Sequence, residues 1–181
     1  KGISRDGHDY IDSAIKNGAT KIIAEHGKYK VETQIVDNTK EYLSNYLKSE
    51  YKEVLNSMKF IGITGTNGKT TSSFLTYQLL NKLGIKTAYI GTIGFYIDNT
   101  FKELENTTPE ITDLYEIFLE CFNKDVKVIV MEVSSQAISY GRVDGLTYDI
   151  GCFTNLTQDH LDYHKTMENY MNAKLEVFKN L

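Results

Sequence analysis

Lys59-Phe-Ile-Gly-Ile-Thr-Gly-Thr-Asn-Gly-Lys-Thr-Thr71 is the stretch that decides the fold. Lys59–Thr64 is apolar and β-branched, the pattern of a buried strand. A glycine turn follows, and Thr70–Leu83 then carries Phe74, Leu75, Leu79 and Leu83 on a helical period before Gly84. The period predicts a helix that lays this stripe on a core. Strand, glycine turn and helix form the setting of a phosphate-binding loop: small residues let backbone N–H groups turn toward phosphate oxygens, and the helix N-terminus adds positive potential. The usual loop has a glycine where Ile63 stands, so only the compressed form Gly65-x-x-Gly68-Lys69-Thr70 is met. In this reading Gly65, Thr66, Asn67, Gly68, Lys69, Thr70 and Thr71 cradle the phosphates of a nucleotide. Lys69 reaches the outer phosphates and Thr70 offers a hydroxyl to Mg²⁺. The plainer alternative is an ordinary Gly/Asn turn; the flanking elements and the tandem threonine favour nucleotide.

Outward from the loop, strands and helices alternate. Thr87–Ile90, the near-continuous apolar run Val126–Val133 and Tyr148–Phe153 read as strands; Asp113–Phe122 and Thr166–Asn180 read as helices. This predicts an α/β fold, a P-loop type parallel sheet flanked by helices. Upstream, Tyr10–Gly18 reads as helix, Thr20–Ala24 and Thr33–Val36 as strands, and Lys40–Met58 as one long amphipathic helix. Residues 1–57 are therefore expected to be part of a smaller α/β domain, and 58–181 the front of the main one.

Three further groups carry chemistry. Glu132 ends an apolar strand, where α/β sheets place their sites and where P-loop enzymes hold magnesium; a solvated strand-end carboxylate is the alternative. Ser134, Ser135 and Arg142 follow, read either as anion-binding groups or as helix caps with a surface arginine. Asn155–His164 contains two His and two Asp at a spacing that fits no zinc motif. His160 lies nearer the strand end, and His164 reads as solvated or capping. Tyr170, Ala173, Val177 and Phe178 form the apolar stripe of the last helix, and Lys174 falls within it. Snorkelling to water is the commoner fate of such a lysine; the alternative is an amine aimed into the site.

Composition sets the exclusions. With 20 Lys+Arg against 24 Asp+Glu, the net charge of −4 argues against a nucleic-acid surface. No apolar run reaches membrane-spanning length, and two cysteines support no disulfide framework, which suggests a reducing, cytoplasmic setting. The chain starts at Lys1 rather than Met and stops at Leu181 on an uncapped amphipathic run, so both ends read as cut.

Gly62–Thr71 resembles the ATP loop of the Mur ligases. Asn106-Thr-Thr-Pro109, Met131-Glu-Val-Ser-Ser135, Gly141-Arg-Val143 and Phe153–His164 narrow the resemblance to those that add the third residue of the peptidoglycan stem peptide. The segment Lys1–Tyr10 resembles their uridine-substrate domain. The resemblance implies ATP-dependent amide ligation through an acyl phosphate, joining meso-diaminopimelate or L-lysine to the D-glutamate of a UDP-N-acetylmuramoyl-dipeptide. It implies that Thr70, Glu132 and His160 serve metal, and that Asn106, Thr107, Thr108, Ser134 and Arg142 contact the UDP-substrate. Lys69 and His160 would take part in the chemistry, and Lys174 would carry a carbamate. It also implies a cytoplasmic monomer with an amino-acid-binding domain absent from this chain. Gln136 stands where many members have His, and Tyr140 where some have a substrate-contacting Gln. Competing readings are a sister Mur ligase or folylpolyglutamate synthase, a P-loop switch or transport ATPase, and an ATP-binding piece with no activity of its own.

Overall fold

The computed structural model describes residues 6–181. The Lys1–Arg5 part of the uridine-domain resemblance lies outside them. Close packing divides the chain within one helix, at Tyr46/Leu47.

In the first unit α1 (Ile11–Lys16) precedes two short strands, β1 (Lys21–Ala24) and β2 (Glu32–Ile35), which pair in parallel with Ile22 opposite Thr33. Ile11, Ile22 and Ala24 form its small core, lined by Ile15, Ala19, Tyr29 and Val31. The helix predicted over Lys40–Met58 is two: α2 (Thr39–Glu50) and α3 (Lys52–Asn56). The chain leaves helical geometry at Tyr51, whose φ is −100° and ψ 18°. Tyr51 packs edge-on against Tyr115.

The second unit is a six-stranded sheet in the order β6-β5-β4-β7-β3-β8. β3 (Lys59–Thr64) lies between β7 (Val128–Glu132) and β8 (Ile150–Phe153), and β4 (Thr87–Gly91) extends the parallel set beyond β7. The sheet is mostly parallel, as expected, with an antiparallel edge of β5 (Gly94–Ile97) and β6 (Thr100–Lys102). That edge was not among the expected strands; the two residues Asp98-Asn99 join β5 to β6, and Asp98 takes a positive φ of 51°. α4 (Lys69–Lys82), α5 (Ile111–Asn123), the short α6 (Ser135–Ser139) and α7 (Leu161–His164), and α8 (Met167–Lys179) complete the unit.

The α4 prediction needs one correction. The helix forms, but Leu75, Leu79 and Leu83 are 58%, 58% and 66% exposed. Ser73 and Tyr77 are its buried residues. The sheet beneath α4 presents aromatic rings, Tyr89 and Tyr96, and these take Phe74 and Tyr77 as partners. Periodicity located a stripe; it could not tell that aromatic stacking would turn the other face inward. The helix expected over Asp113–Phe122 forms as α5, with Leu114, Ile117, Phe118 and Cys121 buried on one face and Phe122 left 40% exposed.

Candidate active site

Four parallel strands end at the same edge, and the segments that follow β3, β4, β7 and β8 meet there. The glycine turn after β3 is held in a shape glycine permits. Gly65 has φ 137° and Gly68, which precedes α4, φ 82°. A Cβ on Gly65 would collide with the Thr154 hydroxyl and touch the Asn155 backbone. The segment after β8 straps the turn: Thr66 N–H donates to Asn155 O (2.9 Å), Asn67 N–H to Asn155 Oδ1 (3.0 Å), and Asn155 Nδ2 to Asn67 O (3.1 Å). Thr154 Oγ1 donates to Asn67 O at 2.7 Å. Thr66 Oγ1 sits between Thr157 and the Tyr170 hydroxyl. The N-terminal N–H groups of α4 are thereby aimed into an open cleft of about 460 Å³ lined by residues 66–71, Thr92, Thr107, Glu132, Ser134, Gln136 and His160.

Two ammonium groups stand on one side of this arrangement. Lys69 Nζ donates to Gly65 O (3.0 Å) and Thr66 O (2.9 Å). Burial lowers its pKa, against the raising pull of Glu132 and Asp159. Lys174, 1% exposed, donates from Nζ to the same Gly65 O at 2.7 Å and lies 4.4 Å from the centre of the Tyr170 ring. It does not snorkel. Burial first, and the charge of Lys69 second, push it down to about 8.

One carboxylate stands opposite. Glu132 is fully buried rather than solvated. Its Oε1 accepts from the Tyr89 hydroxyl and from Thr92 N–H (3.0 Å). Its Oε2 accepts from Thr70 Oγ1 (2.9 Å) and Thr92 Oγ1 (3.3 Å). Gly91 makes room: a Cβ there would strike both Glu132 Oε1 and the Tyr89 hydroxyl. Burial and the bond to Glu132 raise the Tyr89 pKa, so the phenol stays a donor. Tyr89 and Thr92 went unnoticed in the sequence, although Gly91-Thr92 ends a strand at the same sheet edge as Glu132.

The cleft has the parts for a nucleoside triphosphate with magnesium: a helix N-terminus and a lysine for phosphate, and two hard oxygen donors, Thr70 Oγ1 and Glu132 Oε2, already adjacent. Among the described residues no three His, Cys, Asp or Glu side chains converge as a cage. A cation here would be shared with phosphate oxygens, the usual habit of magnesium.

The sequence profile of the Mur ligase middle domain matches residues 63–181. This chain belongs to the Mur ligase family. Across its whole length it is 44% identical, over 184 residues, to the UDP-N-acetylmuramoyl-L-alanyl-D-glutamate–2,6-diaminopimelate ligase of Fusobacterium nucleatum, of which it spans 38%. It is 44% identical over 182 residues to the ligase of the same name from Bacillus licheniformis, spanning 37% of it. A solved structure titled as that ligase aligns with a TM-score of 0.80 at 28% identity, over 95% of this chain and 35% of the other. A MurF ligase from Thermotoga maritima, solved in complex with ADP, aligns with a TM-score of 0.60 at 25% identity, over 99% of this chain and 39% of the other. The chain thus spans less than two fifths of these relatives.

The remaining expected residues of this Mur ligase chain are placed as follows. Thr107 Oγ1 faces Thr92 Oγ1 at 3.0 Å on the cleft, and Asn106 precedes it, partly buried. Thr108 is wholly buried: its hydroxyl donates to Glu132 O (2.9 Å) and accepts from Ser134 N–H (3.2 Å), so it ties two segments together. Ser134 both lines the cleft and caps α6, accepting from Ala137 N–H at 3.1 Å. Arg142 is no free surface arginine; it pairs with Glu110 (2.5 Å) and donates to Thr108 O (3.0 Å). His160 lines the cleft with a left-handed φ of 51°, and its nearest charged partner is Asp159 at 3.6 Å. His164, expected to be solvated or capping, is buried, with Nε2 2.9 Å from Ser135 Oγ. Burial and then Lys174 lower its pKa. The sheet edge and the sequence context carried no sign of that pairing, because α7 and α6 meet only through the fold.

Proposed function

We propose that this chain is the nucleotide-binding portion of an ATP-dependent amide ligase that joins 2,6-diaminopimelate to UDP-N-acetylmuramoyl-L-alanyl-D-glutamate. The observation that carries the reading is the Thr70–Glu132 pair beside Lys69 in a strapped glycine turn, in a chain 44% identical to ligases of that name. Those names favour diaminopimelate over L-lysine as the amine.

In this reading residues 65–71 hold ATP, with Lys69 turning from the loop carbonyls to the outer phosphates. The γ-phosphoryl passes to the D-glutamate carboxylate and ADP leaves; positioning and charge neutralisation supply the catalysis. The amine then attacks the acyl phosphate, phosphate leaves, and an amide remains. Thr70 and Glu132 would hold Mg²⁺, with His160 at a second metal position; magnesium supplies charge neutralisation on the phosphates. Asn106, Thr107, Ser134 and Arg142 would receive the UDP-substrate, with Thr108 holding their segments in register. Glu110 now occupies Arg142, so a substrate anion would have to displace it.

Lys174 is the proposed carbamate carrier. Carbamate formation needs a neutral amine, and a pKa of about 8 leaves a usable neutral fraction near neutrality. Residues 1–57 are assigned to the UDP-substrate domain, 58–181 to the central ATP domain, and the amino-acid pocket to a domain outside this chain. A cytoplasmic monomer without nucleic-acid or membrane partners fits the reading; among the described residues no helix is long and apolar enough to cross a membrane.

The test is a substrate panel on the full-length gene product. Phosphate release with ATP, the UDP-muramoyl-dipeptide and diaminopimelate is the expected result. Turnover of the UDP-muramoyl-tripeptide in place of the dipeptide would sink the assignment in favour of a sister ligase.

A further inference from the structure

The two oxygens of Glu132 are not equivalent. Oε1 is turned toward the sheet, takes the Tyr89 hydroxyl and Thr92 N–H, and sits where only a glycine at position 91 leaves space. Oε2 takes Thr70 Oγ1 and Thr92 Oγ1, both from residues that line the cleft. Each oxygen has two donors, but those on Oε2 are hydroxyls of cleft residues that can turn aside or join a cation's shell, whereas Oε1 is held by a backbone N–H and a fully buried phenol that can do neither. Tyr89 itself is wholly buried, with Phe74, Tyr77 and Tyr96 packed around its ring. It touches neither the glycine turn nor the cleft.

We propose that Tyr89 is a positioning residue that confines Glu132 to one-oxygen ligation and so makes the site prefer magnesium to calcium. The inference rests on the assignment of Glu132 to the cation site. Magnesium binds at about 2.0–2.1 Å in a strict octahedron and takes one oxygen from each carboxylate; calcium, at about 2.3–2.6 Å, accepts both. Capping Oε1 leaves the small ion its single donor and denies the larger one its second. Sequence alone gives no hint of this, because an aromatic residue in a buried strand reads as core.

Calorimetry of Mg²⁺ and Ca²⁺ binding to the ADP-loaded chain tests it, with thermal melting as the check on folding. Tyr89→Phe keeps the ring and removes the donor. It should weaken Mg²⁺ about tenfold, the usual effect of losing a partner behind a metal ligand, while Ca²⁺ holds or tightens. Gly91→Ala is the second variant, since its Cβ would strike both Glu132 Oε1 and the Tyr89 hydroxyl and so part the pair while keeping the phenol; it should shift the preference the same way, and it decides the matter should Tyr89→Phe fold poorly. Equal losses for both ions, or no change in either, would overturn the role of Tyr89. If the wild-type chain binds ADP without any dependence on a divalent ion, the Glu132 assignment itself fails.

Discussion

The loop side of the cleft carries two ammonium groups, Lys69 and Lys174, whereas the opposite side carries one carboxylate, Glu132. Glu132 and Lys174 are withdrawn from water and Lys69 is half-buried, and the two sides hold their charges differently. The lysines share backbone carbonyls: Gly65 O accepts from both, and Thr66 O from Lys69. The carboxylate accepts four hydrogen bonds drawn from Tyr89, Thr92 and Thr70. Neutral carbonyls are weak holders of an ammonium group, which a phosphate or a covalent change at the amine can replace. The donors on Glu132 come from the middle of β4, the residue after it and the first turn of α4, and they hold both oxygens at once. The difference separates a side built to be rearranged by its ligand from a side built to stay put.

Removing Lys69 should break the comparison most severely. Lys69→Ala leaves the turn, strapped by Asn155, in place but deletes the cation nearest the phosphate region. ATP affinity by calorimetry should fall more than about a hundredfold, as the loss of charged hydrogen bonds of ~1.5–3 kcal/mol each would require. Far-ultraviolet dichroism should be unchanged. Retained affinity would place the nucleotide elsewhere.

On the fixed side the effect should appear in stability instead. Glu132→Ala strips Tyr89, Thr92 and Thr70 of their acceptor, and buried donors left unpaired cost about 1–3 kcal/mol each. Urea unfolding of the apo chain should show a loss of about 2–4 kcal/mol for Glu132→Ala. Lys69→Ala, whose partners remain near water, should lose much less. Equal losses would erase the distinction between the two sides.

The smallest effect belongs to pH. Lys174 falls from an ordinary value of 10.5 to about 8 on folding. Between those values the unfolded chain binds the extra proton, so stability should rise with pH above about 8 and flatten near the ordinary lysine range. Melting temperatures followed across that window should show the rise in wild type and lose it in Lys174→Met. The same slope in both proteins would mean that the amine is not held as described.

Much of this was legible. The strand, turn and helix at Lys59–Lys82, the acidic end of β7 and the odd lysine of α8 follow from patterns confined to a few neighbouring residues. What escaped was set by partners distant in the chain. The α4 leucines point outward because the rings of Tyr89 and Tyr96 attract Phe74 and Tyr77. Glu132 is buried because Gly91, Thr92 and Tyr89 make a socket some forty residues upstream. His164 is buried through Ser135. Local periodicity marks which residues are apolar, but not which face meets an aromatic layer or which hydroxyl waits across a sheet.

The phenol cluster under α4 has an optical consequence. The chain has 13 tyrosines and no tryptophan, so its intrinsic emission comes from phenols alone. A phenol bonded to a carboxylate loses its excited state quickly, which makes Tyr89 dark while Glu132 holds it. Any event that draws Glu132 toward the cleft should brighten a residue that no solvent reaches. The protein thus contains, without a label, a reporter on the least accessible group of its own site.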